Sequence, residues 1–369
     1  MSELSYLEKL LDGVEVEWKT LKDVCDFKNG FAFKSSLFKE TGLPIVRITN
    51  IDGFNVDLDE VKYFSLNDYK EDLSSFEVSM GNILIAMSGA TTGKVGIYKK
   101  GIKCYLNQRV GKFIPKENIL NNNYLYHFLL LNTETIYILA GGGAQPNLSS
   151  NALMSKLLIP IPCPGNPEKS LAIQSEIVRI LDKFTELTAE LTAELSMRKK
   201  QYNYYRDQLL SFDEEQEKPI YQEKLLDGVE VEWLPLSDLA RIRNGKDHKS
   251  LSEGEFPVYG SGGIMRYVDT YAYNKPSVLI PRKGSLGNLF FIDVPFWTVD
   301  TIFYTEIDEA QIRPKYLYYF LTTVGLGEMN QAGGVPSQTQ SVLNKLKIPI
   351  PCPDNPEKSL AIQSEIVRI

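Results

Sequence analysis

The chain has 369 residues, of which 43% are hydrophobic and 24% charged, and its formal net charge is −7. These proportions are ordinary for a soluble globular protein, and the length suits two or more domains. No apolar run approaches the ~18 residues of a membrane-spanning helix. The four cysteines are far apart and form no CxxC pair, which argues against a disulfide or zinc framework and favours a reduced, cytoplasmic setting.

The acidity is unevenly distributed along the chain. Residues 19–158 carry 16 basic and 13 acidic side chains, residues 234–347 carry 12 and 11, and residues 159–233 carry 9 and 15. Residues 78–116 contain seven Lys or Arg and no Asp or Glu. Two mildly basic blocks are thus flanked by acidic segments, and a negative overall charge does not exclude a nucleic-acid partner.

A tandem repeat organises the chain. The stretch EKLLDGVEVEW at 8–18 recurs at 223–233, and the 22 residues at 159–180 recur at 348–369 with one change, Gly165 to Asp354. The blocks between these segments have diverged but keep parallel motifs, such as KNGF and RNGK. The pattern predicts two copies of one unit, each a variable block followed by a near-identical connector. The predicted divisions are 1–158, 159–222, 223–347 and 348–369.

The variable blocks are predicted to mix helix and strand. In the first block, apolar runs broken by Gly, Asn and Asp predict strands, and a longer apolar run predicts a helix. The second block repeats this strand-rich character with many aromatic residues. The fold class is therefore α+β, with two similar mixed domains. The predicted strands of the first block are 43–51, 82–89, 95–100 and 109–115, and its predicted helix is 122–140.

The stretch SGATTGKVG at 88–96 looks at first like a nucleotide-binding loop. A P-loop needs four residues between its glycines, a hydroxyl after its lysine and a following helix. Here only three residues separate the glycines, Val95 replaces the hydroxyl, and the next residues predict a strand. ATP binding is therefore disfavoured. Two interpretations remain: a tight hairpin without function, or a hairpin whose amides, hydroxyls and Lys94 face a nucleic-acid backbone.

The connector predicts a long helix. Asn166 suits the N-cap and Pro167 the first helical position. From there to residue 211, apolar and aromatic side chains recur at alternating steps of four and three, a heptad seam interrupted by a stutter in TELTAELTAEL. The predicted seam comprises Ile173, Ile177, Ile180, Phe184, Leu187, Leu191, Leu195, Tyr202, Tyr205 and Leu209.

An exposed seam of this length requires a partner. The second connector, from Pro356, is the predicted antiparallel partner, but its sequence predicts only about fourteen helical residues. The remainder of the seam is then available to another protein or to a second copy of the chain.

Motifs of catalysis are missing from the sequence. It contains no HExxH, no G-x-S-x-G, no GxGxxG and no Cys/His pairing. Of its two histidines, His127 is predicted to pack within a helix and His248 to lie in a solvated loop. The sequence favours a protein that recognises a target over one that transforms it.

The duplicated variable blocks, the IPIPCP…NPEKSLAIQSEIVRI connectors, the DGVEVEW segments and the TAELTAEL tract resemble the specificity subunit of type I restriction–modification systems. The resemblance spans essentially the whole chain. It implies two target-recognition domains, each reading one half of a split double-stranded DNA site, at a separation set by antiparallel helices. It also implies a non-catalytic chain without cofactors, assembled with two modification subunits that use S-adenosylmethionine and with motor-nuclease subunits that use ATP.

Candidate DNA contacts are side chains that suit base edges or phosphates. Either role is open for each of them, as is a plain structural role, and a coiled-coil adaptor without DNA readout is the alternative for the whole chain. In the first domain the candidates are Lys28, Asn29, Arg47, Ser88, Thr91, Thr92, Lys94, Gln108, Arg109, Gln145 and Asn147. In the second they are Arg243, Lys246, Tyr259, Ser261, Arg266, Arg282, Lys283, Ser285 and Asn288.

Overall fold

The computed structural model describes residues 10–141, 146–212, 225–330 and 334–368. The chain divides into two compact units, Met1–Thr192 and Ala193–Ile369. Within the described ranges, none of the helices combines the length and apolar character needed to cross a membrane.

The first unit is built mainly of short strands with α-helices beside them. Its strands are β1 (Val16–Thr20), β2 (Cys25–Asn29), β3 (Leu43–Val46), β4 (Lys62–Phe64), β5 (Glu77–Val78), β6 (Ile83–Ala86), β7 (Val95–Ile97), β8 (Cys104–Leu106), β9 (Val110–Pro115) and β10 (Leu158–Pro162). Its helices are a short α1 (Leu21–Val24), α2 (Asn122–Leu131), α3 (Thr133–Leu139) and α4 (Ser150–Lys156), and α5 (Pro167–Leu209) begins in this unit.

The second unit repeats this plan. Its strands are β11 (Val231–Pro235), β12 (Ala240–Asn244), β13 (Phe256–Gly260), β14 (Gly263–Val268), β15 (Ser277–Pro281), β16 (Phe290–Ile292), β17 (Trp297–Thr298), β18 (Ile302–Ile307) and β19 (Lys347–Pro351). Its helices are α6 (Leu236–Leu239), α7 (Pro314–Thr323), α8 (Gln340–Leu343) and α9 (Pro356–Arg368). The sheet order β2-β9-β6-β7 of the first unit corresponds to β12-β18-β15-β16 of the second. The mixed fold class and the internal repeat are thereby confirmed.

The two repeated sequence motifs pair with each other inside each unit. Strand β1 runs antiparallel to β10, with Val16 opposite Pro162, and β11 runs antiparallel to β19, with Val231 opposite Pro351. The hydroxyl of Tyr124 donates to Pro160 O at 2.9 Å. The IPIP segments therefore brace the base of each domain where the connector helix leaves it.

Strand β6 is buried on both faces, which explains its continuous apolar run. Ile83 and Ile85 belong to one core cluster under α2, whereas Leu84 and Ala86 belong to another on the opposite face. The second unit has the same arrangement, with Val278 and Ile280 of β15 packed under α7. The end of each of these strands is thereby held rigidly between two packed layers.

Several predicted elements differ in extent. The predicted helix 122–140 divides at Asn132, whose side chain donates to Phe128 O at 2.8 Å and so competes with the helical pattern. The predicted strand 43–51 ends at Val46 and continues as a 3₁₀ turn. His127 packs with little exposure, as predicted, but its Nε2 also lies 2.7 Å from the Asp182 carboxylate.

Helix α5 begins as predicted, with the Asn166 side chain accepting from Lys169 N at 3.0 Å. The seam is not uniform along it. Ile173 is buried against the first unit, but every residue from 181 to 205 is exposed, including Phe184 (63%) and Leu191 (57%). Leu210, just after the helix, is buried in the core of the second unit with Ile362 and Ile366 of α9.

Candidate nucleic-acid interface

The Gly-rich stretch is a β-hairpin. Strands β6 and β7 are antiparallel, Ala86 N donates to Lys94 O and Gly93 N to Ala86 O, both at 2.9 Å. Gly89 and Gly93 have φ values of 82° and 85°, a left-handed conformation that favours glycine. A strand therefore follows the lysine, and the P-loop interpretation is excluded.

The hairpin uses much of its own hydrogen-bonding capacity internally. The amides of Gly89, Thr92, Gly93 and Lys94 all donate to backbone carbonyls of the same unit. Thr92 is buried, and its hydroxyl lies 2.6 Å from Gly89 O and 3.1 Å from Pro146 O. These groups hold the turn in shape, so the predicted phosphate contacts through Thr92 and these amides are corrected to structural roles.

Three separate segments meet beside this turn. Met87 N donates to Arg109 O at 2.8 Å, Gly89 N donates to Pro146 O at 3.3 Å, and Ser88 pairs with Asn147 in a β-bridge. Together they line an open concavity of about 770 Å³, whose lining residues are Ser88, Gly89, Ala90, Gln108, Arg109, Pro146 and Asn147. Four of the predicted contacts, from positions far apart in the sequence, thus converge on one site.

The chemistry of this concavity suits base edges. Gln108, Arg109 and Asn147 are exposed, and within the described residues the Ser88 hydroxyl is buried without a hydrogen-bond partner. Arginine pairs with the two acceptors of guanine, and glutamine or asparagine pairs with the donor and acceptor of adenine. The neighbouring segment 78–116 carries no acidic residue that would repel phosphates.

The other predicted residues of the first unit that the structure describes lie outside this concavity. Lys28 Nζ lies 4.4 Å from the centroid of the Phe76 ring, and Asn29 Nδ2 lies 3.4 Å from Ser150 Oγ. Arg47 begins the turn after β3, and the Thr91 hydroxyl donates to Ile48 O at 3.2 Å. Lys94 is exposed at the end of the hairpin. Gln145 lies outside the described residues.

The second unit builds the same frame from a diverged sequence. Arg282 N donates to Thr301 O at 2.9 Å, Gly284 N donates to Pro336 O at 2.8 Å, and Lys283 pairs with Ser337 in a β-bridge. The next turns join this frame, since Asn288 Nδ2 donates to Ser261 O at 3.2 Å and Ser261 N to Thr301 Oγ1 at 3.3 Å. The predicted Lys283, Ser285, Asn288 and Ser261 therefore lie in one neighbourhood.

Other predicted residues of the second unit have partners of their own. Arg243 forms a 3.0 Å ion pair with Glu306, which raises the pKa of that guanidinium. The Arg282 guanidinium lies 5.8 Å from the Phe303 ring centroid, and Arg266 donates to Leu251 O at 3.1 Å.

Two further predicted residues are partly engaged as well. Tyr259 packs on Phe290, and the carbonyl of the exposed Lys246 accepts from Trp297 Nε1 at 3.1 Å. The Tyr259 ring is therefore less available to DNA than the sequence suggests, whereas the Lys246 side chain stays exposed.

Comparison with known proteins identifies the family. The model of the type I restriction modification DNA specificity domain matches residues 13–197 and 228–369. The chain belongs to the type I restriction–modification specificity-subunit family. It is 40% identical to the EcoR124I/EcoR124II specificity subunit of Escherichia coli, covering 95% of this chain and 86% of that one. It is 33% identical to the E. coli EcoprrI specificity subunit, covering 95% and 87%.

Solved structures of the family share the fold. The S subunit from M. genitalium superposes with a TM-score of 0.60 at 21% identity, covering 97% of this chain and 89% of that one. The predicted family is thus confirmed, and DNA target recognition is the activity of this specificity subunit.

Three residues of the second site were missed by the sequence-based prediction. Asp300 and Thr301 occupy the positions that Gln108 and Arg109 hold in the first unit, and Ser337 that of Asn147. Pairing the stretch LNQRVG with TVDTIF would have revealed the first two. That pairing lacks identical residues, and only the valine or isoleucine that follows is similar, so the repeat gives little signal there.

Proposed function

We propose that each unit of this specificity subunit reads one half of a split DNA site. The observation that carries the proposal is the duplicated frame: in each unit the end of a buried strand, the start of its neighbour and a returning loop bring polar side chains together on matching backbone hydrogen bonds. Two related readers on one chain suit a target with two halves.

The helix α5 supports the second part of the proposal, the docking of partner subunits. Its residues 181–205 expose Leu187, Leu191 and Leu195, an apolar stripe of the kind that packs against other helices. We assign this stripe to two modification subunits, with restriction subunits joining the assembly. A solved structure with a TM-score of 0.54 concerns the complex assembly of a type I restriction–modification system.

The division of labour follows from the family. We propose that this chain is non-catalytic and works in the cytoplasm, while S-adenosylmethionine and ATP are bound by the partner subunits. The α5 tract would then set the unread gap, because each four-residue TAEL unit lengthens a helix by about 6 Å. The competing proposal, an adaptor without its own DNA readout, predicts DNA binding that depends on partners and not on the concavity residues.

Mapping methylated adenines across the genome of cells carrying this chain and its modification partner tests the proposed function. We expect a motif of two specified halves separated by a fixed unspecified gap. The same preparation should bind that site with an affinity that falls as salt rises, since phosphate contacts release counterions. An unsplit motif, or none, would overturn the proposal.

Arg109→Ala tests the first concavity. We expect weaker binding to one half-site by about 1–3 kcal/mol, with relaxed selection at one base pair, because a bidentate contact to guanine is lost. Lys99→Ala is the matched control, since it removes the same charge from the same acid-free segment outside the concavity. Unchanged selection, or equal weakening on all sequences, would show that Arg109 does not read a base.

A further inference from the structure

We propose that four structurally equivalent positions in each unit determine which half-site that unit reads. This inference rests on the proposed function and assigns its specificity to named side chains. The first set is Ser88, Gln108, Arg109 and Asn147, and the second set is Lys283, Asp300, Thr301 and Ser337.

The two sets stand on one backbone frame. In the first unit, Met87 N donates to Arg109 O, Leu148 N to Met87 O and Gly89 N to Pro146 O, at 2.8, 2.7 and 3.3 Å. The matching bonds of the second unit join Arg282 to Thr301, Gln338 to Arg282 and Gly284 to Pro336, at 2.9, 3.0 and 2.8 Å.

Two further features extend this correspondence. The bridge between Ser88 and Asn147 is matched by the bridge between Lys283 and Ser337. Asn107 N donates to Val46 O at 3.0 Å, and Val299 N donates to Tyr259 O at 3.0 Å. The backbone therefore holds the corresponding side chains at equivalent places on its unit, although the residues themselves differ at all four positions.

The chemistry of the two sets is different. In the first, Arg109 offers only donors, while Gln108 and Asn147 offer a donor and an acceptor on one amide. In the second, the Asp300 carboxylate offers only acceptors, and Lys283 Nζ lies 3.6 Å from Asp300 Oδ2. The net formal charge is +1 in the first set and 0 in the second.

The hydrogen-bond donors and acceptors of the two sets fit different base edges. Arginine matches the paired acceptors of guanine, and an amide side chain matches adenine. A carboxylate accepts from the amino group of cytosine, which arginine would repel as a donor. Two equivalent frames with these side chains would thus read two different half-sites.

Most side chains of the two sets are exposed, so they can be substituted without disturbing the core. Gln108, Arg109 and Asn147 are exposed in the first unit, as are Lys283 and Asp300 in the second. Specificity at these exposed places can change without repacking the core, since the matching bonds of the frame join backbone groups, although Thr301 Oγ1 also accepts from Ser261 N.

Grafting the second set onto the first unit tests the inference. The full chain carrying Ser88→Lys, Gln108→Asp, Arg109→Thr and Asn147→Ser is expressed with its modification subunits, and methylated adenines are mapped. We expect one half of the motif to change toward the sequence of the other half, while the second half and the gap stay the same. A wild-type motif at wild-type occupancy would overturn the assignment.

A single substitution guards against a folding defect in the graft. Asp300→Gln changes one exposed side chain, and we expect preference at one base pair of the second unit's half-site to shift by about 5-fold or more, the lower end for a specific base contact. Glu253→Gln, which removes an exposed carboxylate of the second unit outside the four positions, is the control that leaves the motif unchanged. If wild type gives a split motif and Asp300→Gln does not alter it, the assignment fails and the proposed function stands. If wild type gives no split motif, the proposed function itself fails.

Discussion

Replacing Gln174 by leucine is expected to destabilise the first unit by roughly 2–4 kcal/mol. The side chain is fully buried, accepts from Asn121 N at 2.8 Å and donates to Ile119 O at 2.9 Å. Leucine has a similar size but leaves both backbone groups buried without a partner, and each such group costs about 1–3 kcal/mol. Denaturant unfolding of the full chain, with hydrogen exchange at the Asn121 amide, measures the effect.

The second unit provides a built-in comparison. Gln363 is also fully buried, accepting from Arg313 N at 2.7 Å and donating to Gln311 O at 3.1 Å. Gln363→Leu should therefore raise exchange at Arg313 and leave Asn121 protected. Gln201→Leu, on the exposed face of α5, should change neither. Wild-type stability and exchange in both buried variants would contradict the role given to these side chains.

The matching hydrogen bonds of Gln174 and Gln363 explain why the connectors are nearly identical while the domains differ. Each glutamine holds the loop that precedes the domain's main helix, and the tyrosines of that helix, Tyr124 and Tyr316, donate to Pro160 O and Pro349 O of the brace. The same contacts are needed wherever a recognition domain meets its connector. The repeated sequence therefore encodes a junction, and the variable blocks encode what the junction carries.

Local rules made much of the fold predictable. The Asn166 cap and the hairpin at residues 88–94 follow from interactions between residues close in sequence, and the two-unit plan follows from the repeated motifs. The concavity was predictable only as a set of suitable residue types. Nothing local indicates that Pro146 and Asn147 return to the hairpin, because that contact depends on long-range packing.

Long-range packing also explains why two predicted DNA contacts, Thr92 and Arg243, have structural partners instead. Thr92 resembles an exposed hydroxyl in the sequence, but the returning loop buries it beneath Pro146 O. Arg243 resembles a free cation until the register of β12 against β18 places Glu306 beside it. Which polar side chains remain available to DNA is thus decided by strand register and loop return, and composition alone does not reveal either.

Gly30→Ala is expected to disable the first recognition site. A Cβ atom at this position would overlap the Asn107 carbonyl, and the obstructing atoms belong to the backbone, which yields only by moving the strand. Overpacking of this kind lowers the free energy of unfolding by about 1–3 kcal/mol, and we expect a value near the upper end because the overlapped backbone is rigid. The moved segment leads directly into Gln108 and Arg109, so their aim at a base edge is lost with it.

Gly245→Ala makes the matching change in the second unit, where a Cβ would overlap the Val299 carbonyl just before Asp300. We expect each variant to abolish discrimination in its own half-site and to preserve it in the other, measured by competition binding with oligonucleotides altered in one half at a time. Gly101→Ala is the control, because its Cβ would meet open space. If Gly30→Ala keeps both selectivity and stability, the close approach of these segments does not position the reading side chains. If instead each variant loses discrimination only in its own half-site, each glycine positions the DNA-reading side chains of its own unit.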